Sequence, residues 1–380
     1  MASTGTIQKD FSLLCTKDNL SDPDIENLPE EILLEIFTYF GLKDLGRCLQ
    51  VSKGFRKISK DKKLWQRITL FRKEVPIEFI GQALTFGLKH LSVQACNLKP
   101  MEANISIDLP MILDLYPKKN ELKSLVLTDD VQYRKNHHFT EQVKYFTTIL
   151  ESCHSLEKLH FGGFYSHFNF PKFVAQNGQT LTVLNLLNHH VRFGKHPGSV
   201  QLIIEHCTEL KELALCPLKS ADFGFVCQNL TPKIRKLRIQ TYSDNRIEND
   251  KYVEILTKRC HDLTVFSLDA EVTNTSFNNI VNNLSLSLEK LAFRTKLQNQ
   301  EDMVEMLELR SMSKLELLCL SGWIRDKGNK QKFFQLNLPH LKVMFVGNTR
   351  DVIEIAVQEG KKQKSKLDLF RDFDPYPTYF

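Results

Sequence analysis

From residue 88 onward the apolar positions fall into one recurring phrase, L-x-x-L-x-L. It reads LKHLSV at 88, LKSLVL at 122, LEKLHF at 156, LTVLNL at 181 and LKELAL at 210. It continues as IRKLRI at 234, LTVFSL at 263, LEKLAF at 288, LELLCL at 315 and LKVMFV at 341. The steps are 34, 34, 25, 29, 24, 29, 25, 27 and 26 residues. Alternation inside each phrase predicts a short strand whose second and third apolar residues point inward. Between phrases, FTEQVKYFTTILESC, GSVQLIIEHC and DKYVEILTKRC carry apolar residues at helical spacing, so the chain is expected to return as a helix. Each of these ends in a Cys three residues before the next Leu. Cys153, Cys207 and Cys260 are expected to pack as small apolar side chains at the helix-to-strand corner. A further helical pattern is expected near Asp351–Glu359.

Residues 28–70 follow another rhythm. Pro29, Glu30 and Glu31 suit the first turn of a helix. Ile32, Leu33, Ile36, Phe37 and Phe40 then form one wide apolar stripe over about three turns, which Gly41 ends. A second short helix is expected with Leu45, Cys48 and Leu49 on one side, and a third with Phe55 and Ile58, closed by Leu64 and Trp65. So small a unit has too little interior for this much apolar surface. Leu28, Pro29, Ile32, Ile36, Phe37, Leu45, Val51 and Trp65 are therefore expected to be partly exposed until a partner covers them.

This stretch resembles an F-box. The matching positions are Leu28, Pro29, Glu31, Ile36, Phe37, Tyr39, Phe40, Asp44, Leu45, Val51, Ser52, Lys53, Phe55, Leu64 and Trp65; Phe55 stands where many relatives carry Trp. The resemblance implies docking to the Skp adaptor of a cullin–RING ubiquitin ligase, through Leu28, Pro29, Ile32, Leu33, Ile36, Phe37, Leu45, Val51 and Trp65. The phrase and its period are the leucine-rich-repeat signature. The expected fold is α/β: a leucine-rich-repeat solenoid, a horseshoe with a parallel inner sheet and outer helices, preceded by a small three-helix F-box. The expected divisions are a mobile tail over 1–24, the F-box over 25–70, a linker helix over 71–87, about ten repeats over 88–360 and a C-terminal tail over 361–380.

Composition changes this picture little. The 380 residues are 42% hydrophobic and 25% charged, with a formal net charge of +6. That is ordinary globular usage with a mild basic bias, which permits an acidic partner without requiring one. The nine cysteines form no C-x-x-C pair, so local spacing builds no zinc ribbon or RING. With no signal-like N-terminus and no apolar run long enough for a membrane span, a cytoplasmic or nuclear protein is expected. No G-x-S-x-G, Gly-rich phosphate loop or H-E-x-x-H is present. Neither a catalytic residue nor a metal or other cofactor is expected, and any ligase chemistry must come from partners.

Recognition is expected on the face carrying positions three, five and seven of each phrase. Lys158, His160, Lys236, Arg238, Lys290 and Arg294 give it a basic bias. Loops with Phe164, Tyr165, Phe168 and Phe170, then His189, His190, Arg192 and Phe193, then Tyr242 and Arg246, then Trp323 and Arg325, would border it. Tyr, Trp and Arg are the residue types enriched at binding hot spots. The substrate-binding set is thus Lys158, His160, Tyr165, Phe168, Lys236, Arg238, Tyr242, Lys290, Arg294 and Trp323. The partners implied are the Skp adaptor, through it a cullin–RING core, and a protein substrate presenting an acidic or phosphorylated segment. The residues leave open a repeat scaffold that binds protein or nucleic acid without a ligase, and a small-molecule pocket on the sheet face.

Overall fold

The structure is a computed structural model that describes residues 25, 28–99, 121–128, 139–162, 169–186, 198–294, 312–321, 343–348 and 351–356. The tails expected at 1–24 and 361–380 lie outside them. The chain divides into two compact units, Met1–Arg67 and Ile68–Phe380.

The first unit holds α1 (Glu30–Thr38), α2 (Leu42–Val51), α3 (Lys53–Ser59) and the single turn α4 (Lys62–Trp65). Pro29 precedes α1, and Glu30 and Glu31 face the positive end of its dipole. The helix stops at Thr38, not at Gly41, which instead caps the start of α2. Ser52 Oγ accepts from Phe55 N at 3.1 Å and starts α3; Asp61 Oδ1 accepts from Lys63 N at 2.8 Å and starts α4. Leu33, Phe37, Leu45, Cys48, Ile58 and Trp65 are buried. The Phe37 ring lies 5.0 Å from Phe40 and meets Phe55 edge-on at 5.2 Å, tying α1 to α3. The buried Trp65 Nε1 donates to Ser59 O, so the indole enters the interior with its polar atom satisfied.

The second unit is a mixed α/β array built on a parallel sheet. The ten phrases form β3 (His90–Gln94), β5 (Ser124–Thr128), β6 (Lys158–Gly162), β7 (Val183–Leu186) and β8 (Glu212–Leu218). They go on as β9 (Lys236–Thr241), β10 (Val265–Asp269), β11 (Lys290–Arg294), β12 (Leu317–Ser321) and β13 (Val343–Asn348). Each strand begins two residues after the first apolar residue of its phrase and pairs in parallel with the next, third position against third. The leading residues Leu88, Leu122, Leu156, Leu181, Leu210, Ile234, Leu263, Leu288 and Leu315 are all buried. Burial of one such side chain contributes about 1.5–3 kcal/mol, and the repeat renews it at every turn.

A strand that the phrase count overlooks opens the sheet. β1 (Arg67–Phe71) lies beside β3, with Ile68 and Leu70 buried as Leu91 and Val93 are. The spacing W-x-x-I-x-L at 65–70 is a looser form of the same phrase. Residues 68–70 therefore pack with the sheet, and the boundary between units falls at Arg67. Arg72 and Ala95, each directly after its strand, take left-handed φ values of 49° and 52°. They turn the chain into β2 (Glu74–Pro76) and β4 (Asn97–Lys99), which pair in parallel as a small second sheet. α5 (Ile77–Thr85) follows, with Ile77, Ile80 and Ala83 buried.

The helices α6 (Phe139–Ser152), α8 (Ser199–His206) and α10 (Arg246–Arg259) occupy the three segments read as helical. α7 (Phe170–Asn177), α9 (Ser220–Asn229) and α11 (Asn274–Leu284) complete the return segments from β6 to β11. Neighbouring return segments are stitched by buried polar groups. Asn177 Oδ1 accepts from Leu156 N at 2.8 Å, and its Nδ2 donates to Cys153 O and Phe173 O at 3.0 and 3.1 Å. Asp250 of α10 accepts from Thr273 N at 3.0 Å and from the hydroxyls of Thr273 and Ser276, so one helix caps the next. Gly224 of α9 admits the Tyr252 ring of α10, which would stand 2.5 Å from any Cβ placed there.

The helical expectation at the end of the array is overturned. Asp351–Ala356 is β14, antiparallel to β13. Val352, Ile353 and Ile355 are β-branched and suit a strand. Only two residues separate it from the end of β13, too few for a parallel crossover but suited to a hairpin return.

Candidate functional site

Two surfaces stand out. The first is on α1. Its wide stripe divides, because residues four apart share a side while neighbours diverge by about 100°. Leu33 and Phe37 turn inward, with Phe37 0% exposed. Ile32 remains 50% exposed and Ile36 half-buried on the other side, with exposed Leu28 just ahead of the helix and Tyr39, 80% exposed, at its end. Val51, the last residue of α2, is 62% exposed, and Ile25 is exposed as well. Glu35 Oε1 accepts from Tyr39 Oη at 3.4 Å, which tethers the phenol but leaves its ring in solvent.

This division corrects part of the expected exposure. Phe37, Leu45 and Trp65 are interior, as is Leu33, because the four helices have room for one side of each stripe. Leu28, Pro29, Ile32, Ile36 and Val51 are the members of that set at or near the surface. Ile25 and Tyr39 join them; Tyr39 follows Ile32 by seven residues, a spacing that marks the same face.

The second surface is the sheet face. Register sets Lys158, Val183, Glu212, Lys236, Val265, Lys290 and Leu317 side by side across β6 to β12. One row along lie His160, Asn185, Ala214, Arg238, Ser267, Ala292 and Cys319. Six candidates separated by up to 136 residues (Lys158, His160, Lys236, Arg238, Lys290 and the backbone position of Arg294) thus share one face. Its basic bias is weaker than composition suggests. Glu212 Oε1 takes the Lys236 ammonium at 2.8 Å, and Asp269 stands in register with Arg294. Val183 and Leu317, at the third position of their phrases and so on the face expected to be exposed, are buried. Burial holds the His160 imidazole below its ordinary pKa, against the pull of the Glu212 carboxylate, so it is neutral near pH 7.

Of the loop candidates, Tyr242 is exposed directly after β9. Arg246 is the first residue of α10, not a loop residue, and is ion-paired to Glu271 at 2.9 Å. Phe170 opens α7 and is buried beside Phe173, their ring centres 6.3 Å apart. Phe164, Tyr165, Phe168, His189, His190, Arg192, Phe193, Trp323 and Arg325 lie outside the described residues. The corner cysteines Cys153, Cys207 and Cys260 are buried, and burial pushes the Cys207 and Cys260 thiols up to about 12 and about 11. That is the opposite of the low pKa a nucleophilic thiolate requires. Among the described residues no group of three His, Cys, Asp or Glu could hold a metal ion, and no helix is long and apolar enough to cross a membrane.

Comparison with known proteins bears on the first unit. Residues 25–71 match the F-box-like family model. Over 72 residues the chain is 36% identical to F-box/WD repeat-containing protein 8 of Homo sapiens, a match covering 19% of this chain and 12% of that relative. Over 53 residues it is 38% identical to F-box/LRR-repeat protein 5 of Xenopus laevis, covering 14% of this chain and 8% of the other. These matches span about a tenth of the relatives' lengths. Among solved structures, a chain from the complex of Rad7 and Elc1 in yeast aligns with a TM-score of 0.37 and 17% identity, over 83% of this chain and 87% of that one.

Proposed function

We propose that this chain, an F-box protein by its F-box-like domain at residues 25–71, is a substrate-recruiting, non-catalytic subunit of an SCF-type ubiquitin ligase. Its α1 face binds a Skp adaptor, and its parallel-sheet unit, read as a leucine-rich-repeat solenoid, holds the substrate. The observation that carries the reading is the divided stripe of α1. Leu33 and Phe37 satisfy the unit's own interior, while Ile32, Tyr39 and Val51 stay in solvent at 50%, 80% and 62% exposure. Large apolar side chains left in solvent in so small a unit suit a surface that a partner covers. An adaptor that covers them gains up to about 1.5–3 kcal/mol for each side chain fully buried, less the cost of ordering and association.

The chain's part is positional. The adaptor connects it to a cullin–RING core that supplies the transfer chemistry, and the sheet face presents the substrate to that core. Lys158, Arg238 and Lys290 favour an acidic or phosphorylated segment, held by charge-assisted hydrogen bonds. From β6 to β11 is five strand spacings, about 24 Å, which an extended peptide covers in about eight residues.

The test is co-purification with a Skp adaptor, comparing the full chain with Ile32→Asp and Val51→Asp. Both variants should keep their helical circular dichroism and lose the adaptor. Retention of the adaptor by both variants would refute the docking face.

A further inference from the structure

The solvent side of α10 departs from that of its neighbours. Outward positions on α8, α9 and α11 hold Gln201 and Glu205, Ala221 and Gln228, Thr275 and Asn282. On α10 they hold Ile247, Lys251, Ile255 and Arg259, spaced by four, with Ile247 70% and Ile255 40% exposed. Positions four apart form one ridge of a helix, and the two isoleucines stand about 12 Å apart along it. Tyr242, three residues before the Asn245 cap, is exposed as well. Among the described residues of the second unit five large apolar side chains stay exposed, and these are three of them.

Other residues fill the core side of α10. Val253 and Leu256 are buried, and the Tyr252 ring lies against Gly224 of α9. The loop ahead of the helix is braced. Tyr242 N donates to Leu218 O at 3.1 Å, and the buried Thr241 hydroxyl donates to the same oxygen at 3.1 Å. Ser243 N donates to Thr241 Oγ1 at 3.1 Å, and the buried Asn249 Nδ2 donates to Ser243 O at 3.1 Å and to Glu271 O at 2.7 Å. An exposed ring on backbone held this way loses little freedom when a partner covers it.

The charges beside the ridge are mostly spoken for. Glu248 takes the Tyr252 hydroxyl at 2.7 Å, Glu254 takes Lys258 at 2.6 Å and Glu271 takes Arg246 at 2.9 Å. Asp250 binds Thr273 and Ser276. Lys251, midway between the two isoleucines, makes no hydrogen bond or ion pair among the described residues.

We infer that the ridge of α10, with Tyr242 at its head, docks an amphipathic helix of another protein, one that carries Asp or Glu beside its apolar stripe. Two apolar side chains two turns apart match the anchor spacing of such a helix, and Lys251 between them calls for a carboxylate. A second copy of this chain fits badly, because a two-fold contact centred on the ridge sets Lys251 against itself. The inference goes beyond the ligase reading and needs neither the adaptor nor a ligand on the sheet face.

The experiment uses the full chain with Ile32→Asp in every sample, which removes the exposed isoleucine of α1 as a competing apolar site. The probes are two labelled helical peptides of about 20 residues, each with a leucine stripe, one flanked by Glu and its twin by Lys. By fluorescence anisotropy the Glu peptide should bind at least about tenfold more tightly than the twin. Ile247→Gln with Ile255→Gln should weaken it about tenfold or more and melt at the same temperature. Lys251→Glu should reverse the order of the two peptides. Binding of neither peptide at about 0.1 mM overturns the inference. So does an order that Lys251→Glu leaves unchanged, or affinity that the double substitution leaves intact. A lower melting temperature in the double variant overturns it too, because the isoleucines would then serve the fold. Dimerisation of the chain in sedimentation, abolished by Ile247→Gln, assigns the ridge to a second copy and overturns the choice of partner.

Discussion

Glu212 and Lys236 face one another across β8 and β9, third residue against third, with carboxylate and ammonium 2.8 Å apart. The parallel register makes this meeting, since 24 residues of chain separate the two. Both side chains are partly exposed to solvent, so the pair contributes about 0–1 kcal/mol to stability. For the acidic ligand proposed above its effect would be larger, because Glu212 neutralises a cation that such a ligand would otherwise use. Glu212→Gln should tighten binding of an acidic phosphoserine peptide a few-fold and steepen its salt dependence, and Lys236→Glu should weaken it. Fluorescence anisotropy with a labelled peptide checks this; equal affinities for all three proteins would remove charge from the account of the sheet face.

Phe37 and Ile32 separate the fold of the helical unit from its docking. Phe37 is fully buried between Phe40 and Phe55, so Phe37→Ala should cost about 3–5 kcal/mol. Ile32 is half in solvent, so Ile32→Ala should cost less than about 1 kcal/mol while weakening the adaptor complex. Trp65 is buried in the same unit and reports on it locally. Urea titration of its fluorescence in a Trp323→Phe background gives both values.

Asn177 ties one return segment to the corner that leads into the preceding strand. Its amide meets Leu156 N, Cys153 O and Phe173 O, and none of its surface is exposed. Asn177→Ala should leave buried backbone groups without partners and cost about 1–3 kcal/mol. Asn177→Leu adds volume without restoring them and should be no better. Hydrogen exchange at the Leu156 amide, which loses its acceptor, should quicken in both variants; unchanged exchange there would mean that another group takes over.

The buried thiols predict an alkaline limit to stability. Burial pushes the Cys207 and Cys260 thiols up to about 12 and about 11 in the folded chain, from 9.0 when solvated. Below pH 9 both are protonated in either state, and their contribution is fully present. Above pH 9 the unfolded chain releases their protons first, so the contribution falls as pH rises and is lost through pH 11–12. Urea midpoints should therefore drop between pH 9 and 11 by less in Cys207→Ala, Cys260→Ala than in the unchanged chain. At pH 8 neither thiol should react with Ellman's reagent until urea unfolds the protein.

Much of the array is visible in local pattern. All ten phrases became strands, because alternation over six residues depends only on which side chains enter the interior. α6, α8 and α10 were equally plain from apolar spacing. α9 was not, since its seam uses Gly224, a close approach that periodicity does not register. β1 escaped because Trp and Ile replace two of its leucines, and β14 escaped because a short β-branched run fits both periods.

By itself the sequence determined the repeat, its strand positions, the inward leucines and the F-box motif, since each rests on residues close along the chain. The tertiary structure decided which half of the α1 stripe is interior and which stays in solvent. Phe37 is turned inward against Phe55 on another helix, while Ile32 stays half in solvent. Packing decided the electrostatics of the sheet face as well. Lys236 is a cation in the sequence and half of an ion pair in the fold, because register brings to it a carboxylate that spacing alone could not assign.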